Sequence, residues 1–305
     1  MPQKCPVVRS CVRALVASVA IQSIWIAAGY AASAPPFKGA QALAYARRAT
    51  SFGERPAGSD ANARQREWIC SELKATGGEI TQDSFVAQTP AGPVSMVNIV
   101  VRFPGSSGKA TAVTGHYDTK RIPMVHFVGA NDGGSSTGFL LEFARYVSGW
   151  KHNNDIYIVF FDGEEAVGQW SDTDSRYGSR HLVDRWAASG VLPRLKGLIN
   201  VDMIGDKELD LSNDTNSSES LRASVNTIAN RLGYEKFFRK DPGAIDDDHK
   251  PFADAGANVI DIIDLDYGPN GSYWHTGEDT TDKLSTRSFQ VVGDVVVELV
   301  KELDR

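Results

Sequence analysis

The run Asp155-Ile-Tyr-Ile-Val-Phe-Phe161, closed by Asp162-Gly-Glu-Glu165, constrains the fold more than any other stretch. A short, continuous apolar run that ends in a glycine turn reads as a strand buried on both faces. Such strands occur where helices cover both sides of a sheet. The acidic pair at its end adds a chemical constraint. Adjacent carboxylates repel each other unless something positive lies beside them. Their spacing lets one bind a metal while its neighbour turns toward a substrate.

The rest of the chain fits such a sheet. Residues 110–116, 197–203 and 259–263 also read as strands. They alternate with helical patterns at 137–148, 179–189, 218–232 and 285–303. This alternation predicts an α/β fold in which a central mixed, mostly parallel sheet is flanked by helices on both faces. Residues 81–86 and 95–103, joined by Gln88-Thr-Pro-Ala-Gly-Pro93, predict a hairpin that adds antiparallel strands at one edge. Residues 61–76 predict an amphipathic helix with Trp68, Ile69 and Leu73 inward, stopped by Gly77-Gly78. A turn-rich loop, Gly53-Glu-Arg-Pro-Ala-Gly-Ser59, precedes it. Nothing divides residues 35–305, which we read as one domain.

The N-terminus is set apart. Lys4, Arg9 and Arg13 precede an apolar stretch at 14–28, and Ala32-Ser-Ala34 follows. That order is the signature of a secretory signal over residues 1–34, and the apolar stretch is short for a membrane span. The expectation is export to the periplasm or medium. The formal charge of −6 becomes −9 once those three cations leave, which argues against a nucleic-acid partner. Cys5 and Cys11 leave as well, so Cys70 remains alone without an intrachain disulfide. It lies among apolar helix positions and reads as packed rather than reactive.

The chemistry gathers at the strand ends. His116, Asp202 and the pair Glu164-Glu165 all end strands, where ligands bind in sheets of this kind. Asp132, in Gly129-Ala-Asn-Asp-Gly133, and His275 complete a donor set suited to zinc. Asp132, Glu165 and His275 are candidates for one ion, with His116 and Asp202 available to a second. Asp118 stands two residues beyond His116 and could orient that ring. Two imidazoles favour zinc over magnesium or calcium. Glu164, next to a metal-bound carboxylate yet free, is the candidate general base and acid. A rival pattern, Gly134-Ser-Ser-Thr-Gly138, fits G-x-S-x-G with Ser136 as nucleophile. A glycine-rich loop precedes it, not a strand entering a tight elbow, and it gives the acidic pair no task.

His116-Tyr-Asp118, Gly129-Ala-Asn-Asp132, Phe160-Phe-Asp-Gly-Glu-Glu165 and Trp274-His275 resemble the zinc exopeptidase superfamily of aminopeptidases. Trp170-Ser-Asp-Thr-Asp-Ser-Arg-Tyr-Gly-Ser-Arg180 fits W-S-x-x-D-S-x-Y-G-S-R, a pattern specific to the glutaminyl-peptide cyclotransferases within it. Asp247-Asp-His-Lys-Pro-Phe252 and Gln88-Thr-Pro90 are similar to that family too. The resemblance runs from about residue 50 to the C-terminus. It implies one zinc on Asp132, Glu165 and His275, with Glu164 shuttling the proton. It also implies Asp202 and Asp247 in a hydrogen-bond network around Glu164, and Trp170 and Trp274 lining the pocket. The implied reaction turns N-terminal glutaminyl residues of peptides into pyroglutamate with release of ammonia. A zinc aminopeptidase is the alternative. The chain departs from the animal-type cyclases in lacking a disulfide, in Asp261 where they carry histidine, and in a longer, more polar loop at 264–273.

Overall fold

The computed structural model describes residues 1–3 and 36–305. The secretory-signal reading falls on residues 4–34 and lies outside the described residues. Contacts group the chain into Met1–Ala32 and Ser33–Arg305, and every helix and strand below lies in the second unit. Helices α1 (Gly39–Thr50) and α2 (Asp60–Lys74) lead into strands β1 (Glu79–Thr89), β2 (Gly92–Phe103) and β3 (Ala110–His116). Then come α3 (Gly134–Ser148), β4 (Asp155–Phe161), α4 (Tyr177–Ser189), β5 (Leu195–Asp202) and β6 (Leu211–Asp214). Helix α5 (Glu219–Leu232), β7 (Phe238–Gly243), α6 (Lys250–Asp254), β8 (Val259–Ile263) and α7 (Thr286–Leu303) complete the chain.

Six strands form the main sheet in the order β1-β2-β4-β3-β5-β8. The four from β4 to β8 are mutually parallel, and the β1–β2 hairpin adds antiparallel strands at the edge. Every residue of β3, β4 and β8 is buried, as strands covered by helices on both faces require. Along β4, Ile156, Ile158 and Phe160 pack on one face, while Tyr157, Val159 and Phe161 pack on the other. The first face carries α1, α2, α3, α5 and α7, and the second carries α4 and α6. Helix α7 is rich in valine, a modest helix former. Ser285 caps it by accepting from the Ser288 amide, and the buried Val291, Val292, Val295, Val296 and Val300 outweigh the propensity cost. At about 1.5–3 kcal/mol per buried side chain, packing decides that helix.

Several expectations need correcting. The hairpin strands run further than 81–86 and 95–103, because Gln88 pairs with Pro93 and Thr89 with Gly92. Only Pro90 and Ala91 form the turn. Ile69 and Leu73 are fully buried, but Trp68 is half-buried against Tyr45 and Phe52. The small parallel pair β6–β7 has no counterpart in the strand reading. Cys70 is buried as expected, and burial pushes its thiol up. Among the described residues, no helix is long and apolar enough to cross a membrane.

Candidate metal centre and substrate cavity

The parallel strands deliver their C-terminal residues to one rim. β3 ends at His116, β5 ends at Asp202, and Glu164-Glu165 follow β4. Gly163 takes a φ of 71°, which turns the chain off the strand and presents the acidic pair. Asp118 holds that turn by accepting from the amides of Glu164 (3.1 Å) and Glu165 (3.4 Å). Its carboxylate stands 3.5 Å from His116 Nδ1, so anchoring the acidic pair accompanies the ring-orienting task expected of it.

Asp132 enters from the loop before α3. Asp279 accepts from the amides of Asn131 (2.8 Å) and Asp132 (3.1 Å), which fixes that loop. Gly133, at φ 77°, passes so close to the Asp118 carbonyl that a Cβ would lie 2.3 Å from it. Fully buried Arg55 donates to the carbonyls of Val128 and Gly129 and ties the loop from below. Its burial lowers the guanidinium to about 10. His275, in a left-handed conformation (φ 54°), reaches in from the opposite side.

The three expected donors meet. His275 Nε2 lies 3.1 Å from Glu165 Oε1 and 3.2 Å from Asp132 Oδ2. Their ligand atoms all fall within 4.8 Å of one another. His116 Nε2 lies 3.2 Å from Asp132 Oδ1 and 3.1 Å from Asp202 Oδ1, giving a second group that shares Asp132. One imidazole nitrogen cannot satisfy two carboxylates. His275 bonds to Glu165, and the buried Asp132 Oδ2 has no hydrogen-bond partner. A cation among these atoms would satisfy all of them, so the residues present fit a metal ion.

The electrostatics agree. Burial opposes ionisation of Asp132, yet the His116 and His275 rings beside it hold it well below the usual carboxylate range. Burial and Asp132 raise Glu165. Burial opposes a charge on His275, but Asp132 and Glu165 push it up to about 10. Lys120 Nζ, 3.3 Å from Glu165 Oε2, is the positive group that the acidic pair called for. Burial is the main cause raising Glu164 well above its ordinary range, with Glu165, Asp247 and Asp248 adding to it against His116. Burial likewise lifts Asp202 to about 7. Asp202 bonds to His116 and Asp247 to Asn200, so the structure brings both near Glu164 without the direct bonds that a network around it would have. Asp247 acts on Glu164 through its charge.

These groups floor a cavity of about 430 Å³. Trp170 and Trp274 are half-exposed on its walls, with Ile245, Ile263 and Leu265. Trp274 stacks on the His275 ring at 4.4 Å. Ser136, the rival nucleophile, is fully buried inside α3 and donates to the His116 carbonyl at 2.8 Å. Sequence reasoning missed Lys120, Arg55, Asn200 and Asp279. Only Lys120, two residues beyond Asp118, carried a signal through its closeness to a motif.

Known proteins share this arrangement. The profile of peptidase family M28 matches residues 98–300. The solved structure of an Acidobacteriales bacterium glutaminyl cyclase is 36% identical, superposes with a TM-score of 0.85, and is matched over 95% of this chain and 99% of that one. A leucine aminopeptidase precursor from Bacteroides thetaiotaomicron is 25% identical with a TM-score of 0.79, over 88% and 98% of the two chains. Glutaminyl-peptide cyclotransferase of Drosophila melanogaster is 28% identical over 254 residues, 72% of this chain and 71% of that protein. The family match and the 36% identity along nearly the whole described chain make the conclusion direct: this protein belongs to peptidase family M28 and, within it, to the glutaminyl cyclases.

Proposed function

We propose that this protein cyclises N-terminal glutaminyl residues of peptides to pyroglutamate and releases ammonia. The observation that carries the reading is one cavity in which the Asp132–Glu165–His275 donor set, an uncommitted Glu164 and two tryptophans meet. Two carboxylates and one imidazole suit zinc. When bound, zinc supplies a Lewis acid for the side-chain amide carbonyl of the substrate. The tryptophans hold the glutaminyl side chain folded toward its own α-amine, so nucleophile and electrophile start in contact. Glu164 accepts a proton from the attacking α-nitrogen and delivers it to the departing amide nitrogen. One C–N bond forms, one breaks, and ammonia leaves. Asp202, through His116, and Asp247, through its charge, fix the field in which Glu164 works. We place all of this in one catalytic domain, residues 35–305, exported by the segment before it.

The second donor group, His116, Asp132 and Asp202, favours a second reading, a two-metal aminopeptidase. One assay separates the two: ammonia release from a Gln-initiated peptide, beside cleavage of a leucine anilide, with metal analysis of the same sample. The cyclase reading expects ammonia with one zinc per chain. Anilide cleavage with two metals and no ammonia would replace it. N-terminal sequencing of exported protein tests removal of residues 1–34.

A further inference from the structure

The two tryptophan walls are held by different means, and one fastening involves residues outside the site described so far. Trp170 sits at the tip of the loop between β4 and α4. That loop is organised from within, because the Asp174 carboxylate accepts from the amides of Val167 (2.9 Å), Gly168 (2.8 Å) and Gln169 (3.0 Å). Its base is pinned to the acidic pair, since the Arg176 amide donates to the Glu164 carbonyl at 2.7 Å. These bonds fix the loop's body and leave the indole free to swing. Across the cavity runs the segment that carries Asp246 and Asp247. It is pinned in turn where the Ile245 amide donates to Asp214 Oδ1 at 2.8 Å.

Asp246 joins the two segments. Its Oδ2 accepts from the indole Nε1 of Trp170 at 3.1 Å, and its Oδ1 pairs with Arg176 Nη1. Arg176 is buried beneath them, with its guanidinium 5.6 Å from the centre of the indole ring. A cation beside the ring face adds to the hold on the wall. Asp246 and Arg176 both lie within or beside the motifs that carry the resemblance. Arg176 fills the free position just before Tyr177 in the W-S-x-x-D-S-x-Y-G-S-R pattern, and Asp246 stands immediately ahead of Asp247-Asp-His.

We propose that Asp246 is a positioning residue that sets substrate affinity. Paired with Arg176, its carboxylate fixes the Trp170 indole as one wall of the cavity. A wall that must be ordered on each binding event costs affinity, whereas one already fastened does not. Asp246 is half-exposed, and Arg176 keeps a second partner, Asp172, at 3.1 Å, so removing Asp246 leaves no buried charge alone. Asp246→Ala therefore folds.

The inference rests on the cyclase reading for its substrate, and the test has one arm that does not. With a Gln-initiated peptide, Asp246→Ala raises KM by about tenfold and changes kcat by less than about twofold, while Asp246→Glu restores most of the loss. In the second arm, the emission of Trp170 is the difference between matched proteins with and without Trp170→Phe. It shifts toward that of a water-exposed indole in Asp246→Ala. An unchanged KM, or a fall in kcat at constant KM, overturns the proposal. If wild-type protein releases no ammonia, the cyclase reading fails and the emission arm decides alone: an unshifted Trp170 removes the fastening.

Discussion

Two clusters of carboxylates surround an imidazole in this protein, one open at the carboxyl ends of the main sheet and one sealed between β6, β8 and the start of α6. In the open cluster His275 faces Asp132 and Glu165 on the cavity floor, with 23% of its side chain exposed. In the sealed cluster His249 is fully buried, 3.1 Å from Asp214 and with Asp261 at 3.5 Å on its other nitrogen. The supply of neutral donors separates them. Asp214 accepts from the amides of Asn216 (3.0 Å) and Ile245 (2.8 Å) and from the Ser217 hydroxyl (2.6 Å). Asn200 donates to both Asp247 (2.9 Å) and Asp261 (3.1 Å). The open cluster has no such supply, and Asp132 Oδ2 is left without a partner, whereas in the sealed cluster the unpartnered atoms are Asp261 Oδ2 and the two His249 ring nitrogens, and Asp247, His249 and Asp261 also have metal-ligand spacing. Asp214, well supplied with donors, fastens the fold, and Asp132, short of them, fits a cation.

The largest effects belong to the open side. Glu164→Gln keeps the shape and the donor set but cannot exchange the proton. Turnover on a Gln-peptide should fall by about 10²–10⁴ while zinc content stays unchanged. His275→Ala should lose the metal itself, with secondary structure retained by circular dichroism. If Glu164→Gln turns over normally, the open cluster has another proton carrier and the contrast fails at its centre.

Substitution in the sealed cluster should reverse that pattern. His249→Leu strips Asp214 and Asp261 of the group between them and should cost about 3 kcal/mol of stability. For a chain of this size the midpoint should drop by about 5 °C. Zinc content should hold. Loss of metal at unchanged melting temperature would show that the sealed cluster is part of the metal centre. The sealed side also has its own pH signature. Burial works against ionised Asp214, but His249, Ser217 and the Asn216 amide pull it down to about 2. A carboxylate lowered in the folded state stabilises above its unfolded value, near 4, and that contribution disappears as pH falls through about 2. The gap is worth about 2 kcal/mol. Asp214→Asn should therefore be less stable than wild type at pH 7 and converge with it near pH 2. Urea midpoints that keep a constant gap over this range would break the assignment.

The open cluster was legible in the sequence and the sealed one was not. β3, β4 and β8 occupy the predicted residues, because unbroken runs such as Ile156 to Phe161 admit no other buried strand. The ends of β3, β4 and β5 then point to His116, Glu164, Glu165 and Asp202. The sealed cluster depends on β6 and β7, and Phe238-Arg-Lys-Asp-Pro-Gly243 carries none of the apolar signal of a strand. Asp214 and His249 lie 35 residues apart with no motif spacing between them. Asp261 stood out in the resemblance as a departure from histidine, and the structure gives it a place beside His249 and Asn200. The hairpin was read too short because Gln88, Pro93 and Gly92 suggest a turn, whereas the start of β2, which is not yet paired with β4, accepts proline. The backbone of His275 was also out of reach, since no residue type announces a left-handed histidine.

The smallest expected effect bears on the rival chemistry. Ser136 supports the open cluster from behind, through its bond to the His116 carbonyl, and does not face the cavity. Ser136→Ala removes one buried hydrogen bond to the His116 carbonyl. It should cost about 1 kcal/mol of stability and leave turnover close to wild type. A serine nucleophile would instead lose nearly all activity on the same change and would ignore a chelator. Measuring ammonia release from Ser136→Ala, with and without zinc removed, sets the two side by side. Activity that survives the substitution and vanishes with the metal assigns the chemistry to the open cluster, and the reverse result would move it into α3.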